Sequence, residues 1–341
     1  MTSIVIFPYY ENNNAGIFAI ADTLIMGQDK DAKSTQENLK SGVKLFSIPL
    51  KVSRDYRYTD SNPEFFIDTS FGLAYAGNVA LGLNLHAALS QIAGYLENHS
   101  KECNLGISDL ADFSVKLLND WHHSYNHDDK WTHYCEVSIF GFCPIKNKLK
   151  VFHLKPSLST SEGQIFVSNE VKFEKLTLTS AITDIGFEKK LYWLIMGDSK
   201  AEIRKLILAR MEDVFTPATP FEKIKNDLQF SSQYALEAAI HHKCFASIGG
   251  GLQVCFADEK GARPQRWIRP QSIDTPNDEY EWYSYLNYNL KALGKIGSAE
   301  IGDTGGLPIG YLPGNPNEVL TQLGTEIDKL RGVYRYLYIK S

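Results

Sequence analysis

Thr2 has the features of a catalytic nucleophile once Met1 is removed, as is usual when a small residue follows the initiator methionine. It would then carry a free α-amino group beside its hydroxyl. A terminal amine is one of the bases that activate a threonine hydroxyl, and its unperturbed pKa of about 7.7–8.0 leaves part of it neutral near pH 7. A Met-Thr start is equally that of an ordinary frayed terminus. The catalytic interpretation therefore depends on what surrounds Thr2.

A hairpin is predicted to hold Thr2 in place. Residues 3–10 alternate and are rich in branched side chains, as strands are, and the turn residues of 11–16 lead into a second strand over 17–23. Asp22 ends that returning strand. Because the end of the second strand of a hairpin lies beside the start of the first, we expect a carboxylate next to Thr2.

Blocks of strands and pairs of helices alternate along the rest of the chain. Strands are predicted over 42–50, 65–77, 133–143, 148–156, 164–174 and 189–198, helices over 78–97, 108–122 (with Ser108 as N-cap), 199–215 and 231–247, a hairpin after 251, and surface loops over 27–42 and 51–64. This order favours an α+β fold, a four-layer αββα sandwich of two antiparallel sheets between helical layers. We expect residues 1–263 to form that domain and residues 264–341, with a last helix over 318–332 and a strand over 333–339, to be an extension packed on it.

Composition narrows the class of protein. The chain has 341 residues, 43% hydrophobic and 22% charged, with a net charge of −5, so neither disorder nor nucleic-acid binding is indicated. No uncharged apolar run reaches the roughly 20 residues that span a bilayer, and the start has no secretory signal, which predicts a cytoplasmic protein. The five scattered cysteines contain no C-x-x-C pair and are expected to be reduced, mostly buried thiols.

Seven short motifs, in order, resemble the proteasome β-subunits and the bacterial HslV peptidase, which are N-terminal-nucleophile hydrolases. They are TSIVIF, IAIADT, GVKLFSIP, LAYAGNVA, VSIFGFCPIKNKLKVFHLKPSL, YWLIMGDSKAEI and ASIGGGLQVCFAD, which together extend over roughly residues 2–262. The resemblance implies the same sandwich fold, a peptidase or amidohydrolase activity, and no cofactor or metal. It also implies a homo-oligomeric ring or chamber acting on peptides or proteins, with a separate ATP-driven unfoldase as a further partner.

The resemblance also implies site residues. Thr2 would attack the amide carbonyl, Lys44 held by Asp22 would lower the pKa of the Thr2 amine, and the Gly77 N–H would face the oxyanion. The long interval after Asp22 leaves Lys33 and Lys40 as alternatives to Lys44. The motif's supporting serine is replaced by Asp198 followed by Ser199. Its aspartate and serine before the double glycine align with Phe245 and Ile248, with Ser247 adjacent. These departures keep open a catalytically inactive structural or regulatory subunit.

A metal site is the other chemistry to weigh. The segment 121–133 contains four histidines, His122, His123, His127 and His133. It lacks a fixed zinc spacing and is predicted to be a loop, so metal binding is disfavoured. Gly249, Gly250 and Gly251 precede a strand with no following helix, which argues against a phosphate-binding loop.

Overall fold

The structure is a computed structural model, and it describes part of the chain. The described residues are 3–11, 14–28, 35–39, 42–53, 65–98, 103–124, 135–158, 165–170, 174–175, 192–214, 231–233, 235–236, 239–240, 245, 248–265, 267–269, 282–285, 288–289, 295–296 and 299–300. Met1, Thr2, the histidine-rich residues 125–134 and residues 301–341 lie outside this set.

Within the described residues, strands predominate. In chain order they are β1 (Ser3–Glu11), β2 (Asn14–Asp22), β3 (Ile25–Gln28), β4 (Thr35–Leu39), β5 (Leu45–Ser53), β6 (Phe65–Gly77), β7 (Leu96–Glu97), β8 (Cys135–Cys143), β9 (Lys148–Leu158), β10 (Ile165–Glu170), β11 (Glu174–Lys175), β12 (Tyr192–Gly197), β13 (Leu252–Asp258), β14 (Gly261–Gln265), β15 (Trp267–Arg269), β16 (Trp282–Tyr285), β17 (Tyr288–Asn289), β18 (Lys295–Ile296) and β19 (Ala299–Glu300). The helices with complete bounds are α1 (Val79–Ala93), α2 (Ile107–Ser124) and α3 (Lys200–Val214). Residues 231–233, 235–236 and 239–240, within the helix predicted over 231–247, are helical as well.

Two six-stranded sheets contain most of these strands. The first has the order β11-β12-β1-β2-β13-β14, and the second has the order β10-β9-β8-β6-β5-β7. The pairs are antiparallel except for β5 and β7, which run parallel. The predicted N-terminal hairpin is present as β1 and β2, with Ile4 opposite Ala21. The chain is therefore mixed α/β and rich in sheet.

Alternation along the strands sorts the apolar side chains into three buried clusters. Ile4, Ile6, Ala19 and Ala74 belong to a cluster that joins the two sheets. Val5, Phe7 and Phe18 point to the other face of the first sheet and pack with Ile203 and Ile207 of α3. On the far face of the second sheet, Tyr75 and Val137 pack with Leu81, Leu85 and Leu118 of α1 and α2.

Local side chains begin each helix. Asn78 caps α1, its side-chain oxygen accepting a hydrogen bond from the Leu81 N–H at 3.0 Å. The predicted cap of α2 at Ser108 is wrong: the Gly106 carbonyl accepts from the Asp109 N–H, while the Asp109 side chain accepts from the Gly106 N–H at 2.7 Å. This reciprocal pair begins α2 before Ser108.

Several predicted boundaries are corrected. The predicted loop over 27–42 contains the end of β3 and all of β4, and β4 (TQENL) pairs with β3 although it lacks apolar alternation. Helix α1 ends at Ala93, with Gly94 as its C-cap. Residues 96–97 pair with β5, so the predicted helix over 78–97 is too long. The predicted strand over 164–174 is divided between β10 and β11, which belong to different sheets. The predicted helix and strand over 318–339 lie outside the described residues.

Candidate functional site

Strand ends from both sheets meet around the start of β1. Ser3, the first residue of β1, is the register partner of Gly197 at the end of β12. On the other side of β1, Asp22 ends β2 and is opposite Leu252, the first residue of β13. The polar groups at these ends form the candidate site.

Asp22 is the most completely bonded side chain of this site. Its carboxylate is fully buried. It accepts hydrogen bonds from Ser3 N–H at 2.9 Å, Lys44 Nζ at 2.9 Å, Leu24 N–H at 3.2 Å and Gly249 N–H at 3.3 Å. Four donors match the acceptor capacity of a carboxylate, which makes its burial tolerable. Asp22 therefore fixes the start of β1 to the lysine and to the glycine loop.

Lys44 lies just before β5 and is 1% exposed. Removal of its ammonium from water lowers its pKa below the ordinary value of 10.5, an effect that the charge and the hydrogen bond of Asp22 partly oppose. The two side chains form a buried ion pair with an Nζ–Oδ1 distance of 2.9 Å. The alternatives Lys33 and Lys40 lie outside the described residues.

Gln253 positions Lys44 and was missed by sequence reasoning. Its Oε1 accepts from the N–H groups of Lys44 and Leu45 at 2.9 and 3.0 Å, and its Nε2 donates to the Leu45 carbonyl at 2.9 Å. Because Gln253 is on β13 of the first sheet and Lys44 leads into β5 of the second, this amide joins the sheets. The available signal was one polar residue within the apolar run LQVCFA.

Thr2 itself lies outside the described residues, and its neighbour in the chain, Ser3, is described. Ser3 N–H donates to Asp22, and Thr2 is joined to Ser3 through that same peptide unit. Asp22 therefore holds the Ser3 N–H, the group that directly follows Thr2 in the chain.

Gly77 ends β6 at the same end of the second sheet. The Tyr75 N–H, two residues before it, donates to the Lys44 carbonyl at 3.2 Å, and Gly77 has φ = +110°, a conformation that disfavours any side chain. The strand then passes through the cap Asn78 into α1. The Gly77 N–H is therefore two residues along β6 from the backbone contact with Lys44.

Asp198 and Ser199 form the turn between β12 and α3. Asp198 is exposed, whereas Ser199 is 8% exposed and its carbonyl accepts from the Ile203 N–H at 3.0 Å. Gly197, immediately before them, has φ = +98°. The turn is adjacent to the start of β1 through the Ser3–Gly197 pair.

A second buried carboxylate, Glu136, was also missed. It lies on β8 and is 2% exposed, and its Oε2 is 3.4 Å from the Gly197 N–H. The His153 Nε2 is 3.6 Å from Oε2, and the Lys200 Nζ is 3.8 Å from Oε1. The single acidic residue within the strand CEVSIFGFC was the only signal in the sequence.

The glycines before β13 support the end of β2. The Gly251 N–H donates to Thr23 Oγ1 at 2.7 Å, and the Thr23 N–H donates to the Gly249 and Gly251 carbonyls. Phe245 and Ile248 do not supply polar groups to the site; both pack in the cluster between the first sheet and α3. The glycine loop therefore holds Asp22 through backbone groups.

Metal and membrane features are absent from the described residues. No group of three histidine, cysteine or acidic side chains there could hold a metal ion. Trp121–Ser124 continue α2, which corrects the loop predicted for that part of the histidine-rich segment, while His127 and His133 lie outside the description. None of the helices in the described part of the chain is long and apolar enough to cross a membrane. Of the cysteines in that part, Cys135, Cys143 and Cys255 are buried.

No family model and no curated protein matches the chain. Similar solved structures include Anbu (ancestral beta-subunit) from Yersinia bercovieri, with 13% identity over 77% of this chain and 86% of that chain and a TM-score of 0.40. The Anbu complex from Pseudomonas aeruginosa, solved as a helical assembly, has 12% identity over 81% and 88%, with a TM-score of 0.42. Anbu from Hyphomicrobium sp. strain MC1 has 11% identity over 75% and 82%, with a TM-score of 0.39.

The family assignment made from the sequence motifs is therefore wrong. The motifs indicated the proteasome β-subunits and HslV, but no family model matches, and the solved structures reported above are Anbu proteins. The chain is similar to Anbu proteins at 11–13% identity.

Proposed function

We propose that this chain is an N-terminal threonine hydrolase that cleaves amide bonds of peptides or proteins, with Thr2 as nucleophile after loss of Met1. One observation carries the proposal: the buried Asp22–Lys44 pair is hydrogen-bonded to the peptide N–H that joins Ser3 to Thr2. A buried ion pair is costly for stability, and perturbed buried charges are concentrated at functional sites. Its place beside the second residue gives it a chemical role there.

The proposed mechanism follows from these groups. The Thr2 amine takes the hydroxyl proton as Oγ attacks the substrate carbonyl, and the Lys44 charge keeps the pKa of the amine low enough for it to act as a base. The Gly77 N–H stabilises the oxyanion, and the Asp198–Ser199 turn supports the amine. The protonated amine then transfers its proton to the leaving amine, and water hydrolyses the resulting ester to regenerate Thr2.

The scaffold proposed for this chemistry is a four-layer αββα sandwich over residues 1–263, with residues 264–341 as an extension. The three apolar clusters support it: one lies between the sheets, and one lies between each sheet and its helices. The site would then be at one end of the space between the sheets.

A homo-oligomer in the cytoplasm is the proposed working form, with a separate ATP-driven unfoldase as a partner. The Pseudomonas aeruginosa Anbu complex, described as a helical assembly, gives precedent for self-association. Mass photometry of the purified chain would show whether it self-associates. ATP-dependent degradation of a folded substrate by host extract would reveal an unfoldase.

A catalytically inactive structural subunit is the second candidate. The observation that favours it is the apolar packing of Phe245 and Ile248, where the motif would have an aspartate and a serine. In this case the Asp22–Lys44 pair would only fix the end of β2.

Substitution at Thr2 distinguishes the two candidates. Thr2→Ala is expected to abolish hydrolysis of fluorogenic peptides and labelling by threonine-directed electrophiles, whereas Thr2→Ser retains both, since only the alanine lacks a hydroxyl. Thr69→Ala, on β6 at the end away from Gly77, is the matched control and keeps full activity. Intact mass of the chain from its native host should show loss of Met1. A retained Met1, or no hydrolysis by the native chain, would favour the inactive candidate, whereas an unchanged rate for Thr2→Ala would remove Thr2 from the mechanism.

A further inference from the structure

The solvent face of α1 carries no charge. The exposed residues of this helix are Ala80, Leu83, Asn84, Ala87, Gln91 and Ile92. The uncharged stretch extends beyond the helix, because no acidic residue, lysine or arginine occurs between Asp68 and Glu97, in a chain of which 22% is charged. A surface helix ordinarily has charged and polar side chains on the face opposite its buried stripe. The outer face of α1 therefore differs from that of a helix that faces water.

Helix α2 has the ordinary pattern. The two helices cover the same face of the second sheet, since Leu85 of α1 and Leu118 of α2 belong to one buried cluster. All the exposed residues of α2 between 107 and 120 are charged: Asp109, Asp112, Lys116 and Asp120. The place of α1 in the fold therefore does not explain its uncharged face.

Large apolar side chains are exposed on the same part of the surface. Leu83 and Ile92 are each 42% exposed, and Tyr95, just after the helix, is 71% exposed. Tyr95 also lines a cavity of about 340 Å³ at the C-terminal end of α1, together with Phe65 and Leu96. Apolar surface that includes aromatic residues and lacks charge is typical of the centre of a protein–protein interface.

The charge of the chain indicates which partner fits this face. The net charge is −5, so two copies of the chain repel each other where their charged surfaces meet. At the outer face of α1 no like charges oppose each other, and no charge is present that would recognise a basic or an acidic partner. A face without charge is complementary to itself, which is what a two-fold contact requires.

We propose that α1 packs against α1 of a second copy of this chain, across a two-fold axis perpendicular to the helix. The two helices then run antiparallel, and the small side chains of Ala80 and Ala87 let their axes approach closely. Ala87, at the middle of the face, lies nearest the axis, and Leu83 meets the second copy's Gln91. The contact goes beyond the proposed hydrolysis, because it uses no residue of the candidate site.

Salt should strengthen this association. Asp109, Asp112 and Asp120 give the neighbouring helix α2 an acidic surface, which repels the acidic surface of a second copy. Salt screens that repulsion, while the contact between the α1 faces contains no ion pair to be weakened. We therefore expect tighter association as sodium chloride is raised to about 0.5 M, where charges are screened beyond a few ångströms. Association through opposite charges would weaken instead, and that result would overturn the proposal.

Sedimentation velocity of the purified full chain tests the contact directly. The parent chain should associate at micromolar concentration. Ala87→Glu and Ala87→Lys should each weaken the association at least about tenfold, since like charges then meet near the axis. An equimolar mixture of the two variants should restore it. Ala201→Glu, the same change at an exposed position of α3, is the matched control and leaves association unchanged. Both positions are exposed and both new residues are good helix formers, so the variants should fold.

Three results would overturn the proposal. They are a parent chain that stays monomeric at micromolar concentration, an association that Ala87→Glu leaves unchanged, and a mixture of the two variants that does not associate. Failure of the proposed function is distinguishable from these, because Thr2→Ala tests hydrolysis without altering α1. Association that is lost in Ala87→Glu, in a chain that hydrolyses no peptide, would support the contact and count against the proposed function.

Discussion

Substitution of Lys44 by methionine tests the buried pair most directly. Methionine retains an unbranched chain of similar length but removes the ammonium, so packing changes little while Asp22 loses its ionic partner. The carboxylate keeps three backbone donors, Ser3, Leu24 and Gly249, of which only Ser3 is at 2.9 Å. In this variant the buried Asp22 carboxylate has no cationic partner and only these three backbone donors.

The expected cost follows from breaking one side of such a pair. Removal of one partner of a buried ion pair costs about 3–5 kcal/mol, because it strands the other charge in the interior. Asp22 is 0% exposed and Lys44 is 1% exposed, so the upper part of this range applies to Asp22→Asn, which replaces the anionic acceptor of the Lys44 ammonium by a neutral amide. The double variant Asp22→Asn/Lys44→Met should cost less than the sum of the two single changes, because neither charge remains.

Denaturant unfolding at several pH values supplies the assay. Asp22 raises the pKa of Lys44, and burial lowers it more strongly, so the folded-state pKa is below the unfolded value of 10.5. Between these two values the unfolded state binds more protons, and stability therefore rises with pH in that window. In Asp22→Asn the raising effect is gone, so the window extends to lower pH, and the variant should recover stability as the pH rises toward 10.5. A single-variant cost of under about 1 kcal/mol, as for surface pairs, or additive costs in the double variant, would refute the reasoning.

Two further predictions concern packing and thiol reactivity. Gly82→Ala should lower the free energy of unfolding because a Cβ there would meet the Tyr75 ring, although alanine is the better helix former by about 1 kcal/mol. Thermal unfolding measures the change, and Ala87→Gly on the exposed face of α1 is the control. A Gly82→Ala variant that is more stable than the parent would contradict this packing. Burial raises the pKa of the Cys135 and Cys255 thiols to about 12. Neither thiol should therefore react with iodoacetamide at pH 8 in the folded protein, whereas the partly exposed Cys103 should react. Peptide mass mapping measures the alkylation of each cysteine, and equal alkylation of the three would contradict the burial of Cys135 and Cys255.

The N-terminal hairpin could be predicted because its signals are local. Alternation of branched residues, a turn cluster and a second alternating run specify β1 and β2, and antiparallel geometry alone then brings Asp22 to the start of β1. Lys44 required more, because its distance from Asp22 depends on how two sheets face each other. The motif that suggested Lys44 came from a family assignment that did not stand, yet the two side chains do meet.

Glu136 and Gln253 could not be predicted in the same way. Each is one polar residue in an apolar strand, and a sequence does not reveal whether such a residue faces solvent, a ligand or the opposite sheet. Their roles depend on sheet order, which places β13 beside β2 and β8 beside β6. β3 and β4 were missed for another reason: their sequences, IMGQ and TQENL, are short and lack the apolar alternation of a strand that is buried on one face.

Polar contacts join the two sheets at the site and again at β14, where Ser47 and Ser70 donate to the Ala262 carbonyl, and apolar contacts join them in between. Along most of their length the contact consists of small and branched apolar residues, such as Ala19, Ala74 and Ile6, which fix the spacing of the sheets but not their register. At the site end, Gln253 bonds three backbone groups of residues 44–45, and Glu136 reaches Gly197. Hydrogen bonds are directional, so these contacts restrict sliding of one sheet over the other. Since Lys44 and Gly77 belong to one sheet and Ser3 and Asp22 to the other, a fixed register is what a nucleophile at the start of β1 would require.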